Sequence, residues 1–358
     1  MAEAAASSGA SPASRDALEP TSFAALDGWA GDDHDATLAA FRASAERHLD
    51  RPFRSRPLSP LDGFERIARV SREASDARDF LESHFNPFIL GNGKLTGYYE
   101  PIVAASRVRT DDFPVPLHAR PPELVDLPDP TMRYGRIVDG VARPYLDRGA
   151  IQDGALDGRG LEIAWLRDRV DAFIVHVQGA ARLEMSDGTR MRVTYAAKSG
   201  HDYTSLGARL LARLREARPD LPAAAVTADV LTGWMRDNPV ELGDFLAQNR
   251  SYIFFRRAED AGAGPVAAAK VALAAGRSLA VDRALHSFGL PFWIETRSAL
   301  PGSTAPLRRL VVAQDTGSAI VGPARGDLFV GSGDEAGRIA GAINHEARFV
   351  VLLPREAA

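Results

Sequence analysis

The sequence predicts a mainly β protein with flanking helices, built as a β-barrel domain whose chain is interrupted by an inserted β module. Three observations carry this. Short apolar runs bounded by Gly, Pro, Asn and Asp fill 251–257, 278–282, 291–296, 308–315, 318–322, 327–331 and 348–354, which is the punctuation of strands. Helical spacing is instead concentrated on the amino-terminal side and in a middle block. Between 107 and 131 the composition changes: Pro114, Pro116, Pro121, Pro122, Pro128 and Pro130 break up short apolar runs, as expected where a chain crosses into a separate module. With 358 residues there is length for about two domains.

Taken in order, residues 1–20 are small, polar and Pro-bearing and read as a disordered leader. DATLAAFRASAERHL (35–49) and GFERIARVSREASDARDFLESHF (63–85) have helical periodicity after Asp or Ser-Pro turn chemistry. At Gly91-Asn92-Gly93-Lys94 a turn signal gives way to LTGYYEP (95–101), a β-rich run stopped by proline. VDAFIVHVQGAARLEMSDGTRMRVTYAAK (170–198) reads as three strands, with Asp187-Gly188 as a tight hairpin turn. Helices are predicted at 205–217, 228–238 and 241–249, then strands to the end, interrupted by a late helix at 333–344.

The composition excludes much. There is no cysteine, so disulfides, thiolate catalysis and Cys-ligated zinc are absent together. A formal charge of −4 argues against a nucleic-acid partner, because phosphate binding needs a basic face. No apolar run reaches the roughly 18 residues of a membrane-spanning helix. The opening MAEAAASSGASPASRD has neither a basic start nor an apolar core, so we expect neither signal peptide nor lipobox in this sequence.

Carboxylates carry what chemistry remains. Asp315, Asp327 and Asp334 fall within twenty residues, at strand ends and a helix start, although aspartate is averse to strands. Turn formation and helix capping account for such positions equally well. A carboxylate cluster would instead lift one pKa, so that a protonated acid survives near neutral pH. The Asp-Thr-Gly of 315–317 also occurs in aspartic proteases, but those need two such segments, and this chain has one. Gly331-Ser332-Gly333 opens a helix as a dinucleotide loop does, yet too little chain follows to complete a nucleotide-binding half. The histidines lack a His-Glu-x-x-His spacing and no Gly-x-Ser-x-Gly elbow occurs, so neither a metal site nor a serine nucleophile is expected. Tyr98-Tyr99 beside Thr96 and Glu100 suit either edge-strand packing or the face of a sugar ring, and Trp165, Gln178, Lys198, Tyr203 and Trp293 add residue types that sugars favour.

The ordered blocks LTGYYEP (95–101), AWLRDRVDAFIVHVQG (164–179), GHDYTSLG (200–207), QNRSYIFFR (248–256), VDRALHSFGLPFWIET (281–296) and AQDTGSAIVGPARGDLFVGSGDEAGRIAG (313–341) closely resemble the membrane-bound lytic murein transglycosylase A family. Asp315, Asp327 and Asp334 match the three aspartates of its carboxy-terminal 3D domain. The resemblance implies a double-psi β-barrel catalytic domain formed by 21–106 and 223–358, with the 3D segment at about 281–353 and 107–222 inserted as a second β-barrel-like domain. A groove between the two would hold peptidoglycan glycan strands.

It further implies a polysaccharide lyase of cell-wall turnover that needs no cofactor or metal. The MurNAc–GlcNAc β-1,4 bond would be cut without water, leaving 1,6-anhydro-MurNAc. Asp327 would be the sole acid and base, tuned by Asp315. Thr96, Tyr98, Tyr99 and Glu100 would line one wall, Gln178, Lys198 and Tyr203 would reach in from the insertion, and Asp334 would orient a loop of the substrate site. Partners would be glycan strands together with cell-wall synthases or scaffold proteins, the chain a monomer, and the location periplasmic at the outer membrane. The alternatives are a non-catalytic, wall-loosening glycan-binding module and, behind it, an aspartic protease. Two departures from the family stand out: Ala180-Ala181 where Ser-Gly is expected, and His286 where a bulky apolar residue is.

Overall fold

The computed structural model describes residues 14–128, 134–258 and 264–355. These fall into two compact units, the first formed by three chain pieces (1–97, 267–329 and 343–358), the second by 98–266 and 330–342. Of the expected leader, residues 1–13 lie outside the described residues. Residues 14–20, also expected to be disordered, are ordered: a 3-10 turn at Arg15–Ala17 precedes Glu19–Pro20, which pairs with Phe88 and Ile89.

The first unit is a closed barrel. In it the strands run Phe85–Glu100, Arg325–Ser332, Ser278–Val281, Pro306–Asp315, Pro291–Ala299 and Asn344–Pro354, and the last pairs back onto the first. Closure removes sheet edges. Phe292, Trp293, Leu310, Leu328, Phe349 and Val350 are buried in it. The helix His34–Asp50, capped by Asp33 accepting from the Ala36 N–H, brings Phe41 against Phe64 and Phe85 at ring separations of 5.6 and 5.7 Å.

Two local expectations change. The helix expected over 63–85 is two, Phe64–Val70 and Ala77–His84, because Asp76 caps a new start and Arg42 takes the carbonyls of Ser71 and Ala74 freed at the break. The turn expected at 91–94 is strand: a bulge opposite Phe349/Val350 leaves Leu90 as the extra residue, and Gly91 beside it, paired with Phe349, has φ 109°. Gly93 serves a close approach, since a Cβ there would stand 1.7 Å from the Ala324 carbonyl oxygen. The strand expected at 318–322 is a turn that starts with Ile320 bonded to the Gly317 carbonyl.

The second unit carries a six-stranded sheet ordered Ile253–Ala258, Arg190–Lys198, Ala180–Met185, Ile102–Ser106, Glu162–Leu166 and Val115–His118, whose two ends meet through the Ala119–Phe255 bridge. Leu117, Leu166, Leu183, Val193 and Phe255 fill it. The hairpin turns at Asp187-Gly188 as read, with Gly188 at φ 81°. The compositional change at 107 lies inside this unit, because Ile102–Ser106 already pairs with Ala180–Met185. The first of the three strands read in 170–198 is instead a helix, Arg169–Gln178, capped by Asp168 and ended by Gly179 at φ 74°. Its valines and isoleucine suggested β, but Val170, Phe173 and His176 recur at helical spacing and are buried. Ala181, one of the two departing alanines, packs into the sheet's core, and Ala180 opens the strand that follows. Among the described residues no helix is long and apolar enough to cross a membrane.

Candidate active site

In the barrel unit the strand Ser278–Val281 lies between Pro306–Asp315, parallel to it, and Arg325–Ser332, antiparallel. Ala280 is the Cα partner of Asp315 on one side and of Asp327 on the other. Two strand spacings put those Cα atoms about 10 Å apart. A register shift at Leu279/Ala280 inserts Gln314 as an extra residue. Gln314 thereby turns inward, fully buried, where its amide donates to the Ala40 carbonyl and the Ser44 hydroxyl at 2.8 Å each. Bulges re-aim side chains in this way beside functional sites. Asp315, next in the chain, accepts from the Ala268 N–H at 3.0 Å through Oδ1.

Asp327 is half-buried. Thr96 donates its hydroxyl proton to Oδ1 at 2.6 Å, and Arg325 donates to the same Thr96 oxygen at 2.8 Å through Nη2. The carboxyl is pushed up to about 6, first by burial, which disfavours its charged form. The Thr96 hydrogen bond and the Arg325 charge pull the other way, and the charge of Asp315 adds to the rise. Burial in turn draws the Arg325 guanidinium down, opposed by Asp327. The result is an acid whose carboxyl is raised to about 6, close to neutrality.

The loop joining the two aspartates is pinned at three points. Asp282 accepts from the Gly322 N–H at 2.8 Å, the Nε2 of buried His286 donates to the Pro323 carbonyl at 2.8 Å, and the Lys94 N–H donates to the Ala324 carbonyl at 3.0 Å. His286 also stands edge-on to Phe292 at 5.1 Å, so this departure from the family pattern is a packed loop anchor. Burial pushes its imidazole down to about 4.

The remaining candidate residues belong to the second unit. Tyr98 and Tyr99 are half-buried, and the Tyr99 N–H donates to Gln178 Oε1 at 3.1 Å. Tyr99 lies against Gly337, where a Cβ would sit 2.9 Å from the ring. Glu100 is fully buried: Arg192 holds it at 2.7 Å, Arg182 at 3.3 Å, and the Ser332 hydroxyl donates to it at 2.7 Å. It presents no surface to a ligand. Lys198 ends a strand, half-buried, and Tyr203 is 44% exposed. Asp334 is exposed at the first residue of the helix Asp334–Ala342, while the Gly333 N–H bonds the Glu100 carbonyl at 2.9 Å. The structure therefore joins Asp327, Asp315 and Thr96 in one unit, and Tyr98, Tyr99, Glu100, Gln178, Lys198, Tyr203 and Asp334 lie in the other. Arg325 escaped the sequence reading, although the signal was present: it lies two residues before Asp327 on one strand, hence on the same face.

Residues 94–256 match the family model of the MltA specific insert domain and residues 277–353 that of the 3D domain. Together they define a 3D-domain protein carrying an MltA-type insertion. A solved membrane-bound lytic murein transglycosylase from Agrobacterium tumefaciens is 41% identical, with 94% of this chain and 98% of that one covered at a TM-score of 0.85. MltA from Neisseria gonorrhoeae is 29% identical, with 95% and 93% covered at a TM-score of 0.77. Membrane-bound lytic murein transglycosylase A of Escherichia coli K12 is 31% identical over 270 residues, 73% of this chain and 66% of that protein, so the match spans just under two thirds of that relative. The chain belongs to the membrane-bound lytic murein transglycosylase A family.

Proposed function

We propose that this protein is a lytic transglycosylase that cuts the MurNAc–GlcNAc β-1,4 bond of peptidoglycan glycan strands without water and leaves 1,6-anhydro-MurNAc ends. The carrying observation is Asp327, a strand-borne carboxyl raised to about 6 and hydrogen-bonded through Oδ1 to Thr96. At pH 7 an acid of that strength is protonated in roughly a tenth of the molecules, enough for general-acid catalysis with a strong driving force for transfer.

In this reading the Asp327 proton passes to the bridging oxygen as the C1–O bond breaks. The Thr96–Arg325 chain then stabilises the new carboxylate, because a hydroxyl donating to an oxygen favours its charged form. The muramic acid C6 hydroxyl closes onto C1 and returns its proton to Asp327, so the acid is regenerated within one turnover. An intramolecular nucleophile has an effective concentration on the order of 10⁵ M or more, so no second carboxylate has to activate water. Asp315, occupied by the Ala268 N–H, acts through its charge. Tyr98, Tyr99, Gln178, Lys198 and Tyr203 are proposed as sugar-contacting residues of the inserted unit, and Glu100 and Asp334 as groups that hold their backbone in place.

The names of the relatives, murein transglycosylases described as membrane-bound, support this substrate and a membrane-associated site of action, which we propose to be the periplasm at the outer membrane. Digestion of purified peptidoglycan followed by mass spectrometry tests the reaction. Anhydro ends are expected, with kcat/KM falling as pH rises through about 6. Reducing ends would make the protein a hydrolase, and intact glycan a binder. Recovery of the native protein in the cytosolic fraction of cells would overturn the location.

A further inference from the structure

The inserted unit contains a cavity of about 850 Å³ that includes none of the residues grouped around Asp327. Arg148, His118 and His176 border it and are 2%, 1% and 5% exposed. Among the described residues no carboxylate pairs with buried Arg148. Its Nε donates to the Asn249 carbonyl at 3.0 Å, Nη2 to the Ser251 carbonyl at 2.6 Å and Nη1 to His176 Nδ1 at 3.0 Å, while its guanidinium lies 5.3 Å from the Tyr252 ring centre. Those bonds use three of the five guanidinium donors. A buried charge lacking a counter-charge is costly, and burial draws this arginine down to about 10.

The histidines extend the deficit. Arginine only donates, so His176 Nδ1 accepts and its proton sits on Nε2, which has no partner among the described residues. His118 bonds the Tyr252 hydroxyl at 2.8 Å through Nδ1 and likewise leaves Nε2 without one. Buried polar atoms are nearly always satisfied, so the two imidazole nitrogens beside the cavity call for an acceptor, while the unsatisfied Oε1 of Gln152, also at the border, calls for a donor. The rim has the opposite character. Asp153 and Asp157 are exposed and Glu162 is half-buried, all three bordering the cavity, and among the described residues none is in an ion pair. Arg109 and Arg169, also at the border, are exposed to solvent.

We propose that this cavity binds a small zwitterion of the amino-acid type, its carboxylate seated on Arg148 and His176 and its ammonium turned toward Asp157 and Glu162. A plain anion would meet the acidic rim unfavourably, and a plain cation would leave the buried donors unanswered. The volume falls within the range of small-molecule sites. The site is independent of the glycan-cleaving reading and its test reads binding alone.

Calorimetric titration of the full chain with alanine and with alanyl-alanine separates a free amino acid from a peptide as the source. One of them is expected to saturate at millimolar concentration or below, with acetate and methylammonium weaker by about tenfold or more. Saturation should also shift the side-chain nitrogen resonances of His118 and His176 in a histidine-labelled sample. Arg148→Gln should abolish binding. Because that variant removes a buried arginine and can fail to fold, the double variant Asp157→Asn/Glu162→Gln at the rim is the second probe. It should weaken binding about tenfold with an unchanged melting temperature. Absence of saturation by either zwitterion, equal binding of acetate, or undiminished affinity in the rim variant would overturn the proposal.

Discussion

Asp327 in the barrel and Glu100 in the inserted unit are both carboxylates removed from bulk water, and they have been treated oppositely. Glu100 is enclosed completely and given two arginines and a serine hydroxyl. Asp327 keeps part of its surface and receives one hydroxyl, with its arginine one bond removed behind Thr96. Burial penalises the charge in both, and what differs is the compensation: two guanidinium groups stand on Glu100, whereas Asp327 is held by a single hydroxyl and its carboxyl is raised to about 6. The same side-chain chemistry thus yields a structural tie in one unit and an acid in the other.

The most direct attempt to break this contrast is Asp327→Asn. Removal of a general acid is expected to lower kcat on peptidoglycan about a thousandfold, roughly 4 kcal/mol of transition-state stabilisation. Thermal unfolding should stay the same or rise slightly, because a costly carboxyl has gone. Residual turnover near the wild-type rate would mean that the proton comes from elsewhere.

The mirror experiment is Glu100→Gln. Losing one partner of a buried ionic group leaves Arg192 and Arg182 uncompensated, and about 3 to 5 kcal/mol of stability should disappear in denaturant titration. The rate per folded molecule should remain within a few-fold of wild type. A catalytic collapse without loss of stability would place Glu100 in the chemistry and erase the distinction.

A third, smaller effect concerns the loop between the aspartates. His286 is held neutral, at about 4 in the folded protein against about 6.5 when unfolded. The unfolded chain therefore binds the extra proton first, so this group costs nothing above pH 6.5 and removes stability as pH falls from there to about 4, by roughly 3 kcal/mol in all. His286→Phe should flatten that part of the stability–pH curve. A curve of unchanged slope would show that the imidazole is not the titrating group.

What the sequence revealed, and what it hid, follows from how local each feature is. Asp315 and Asp327 were legible because aspartate at a strand end is unusual and the 3D block is distinctive. The Arg169–Gln178 helix was not, because its valines and isoleucine carry strand propensity, while the cap at Asp168 and the stop at Gly179 decide otherwise. Gly91 and Gly93 look like a turn because glycine marks turns, bulges and close backbone approaches alike; a positive φ beside a bulge accounts for Gly91 and the Ala324 carbonyl for Gly93. The family resemblance puts Glu100 on the substrate wall with Tyr98 and Tyr99, but its arginines, more than eighty residues away in sequence, bury it. Thr96 is expected on one wall with Tyr98, Tyr99 and Glu100; the structure bonds it instead to Asp327, 231 residues away in sequence.

Thr96 also allows the finest test of the comparison. Its hydroxyl donates to Asp327 and so lowers the pKa of an acid that burial raises. Thr96→Val keeps the shape and removes the donor, so the proton should be held more tightly and the fall of kcat/KM with pH should move upward by about one pH unit, near 1.4 kcal/mol. Below that limb the rate should drop modestly, since the carboxylate formed on proton transfer loses its stabilising bond, and Thr96→Ser should restore both values. The matching change at the other carboxylate, Ser332→Ala, removes one donor from Glu100 but leaves both arginines, and should leave the pH profile where it was. If the two substitutions moved the profile alike, the number of cations at each carboxylate would not be what separates acid from tie.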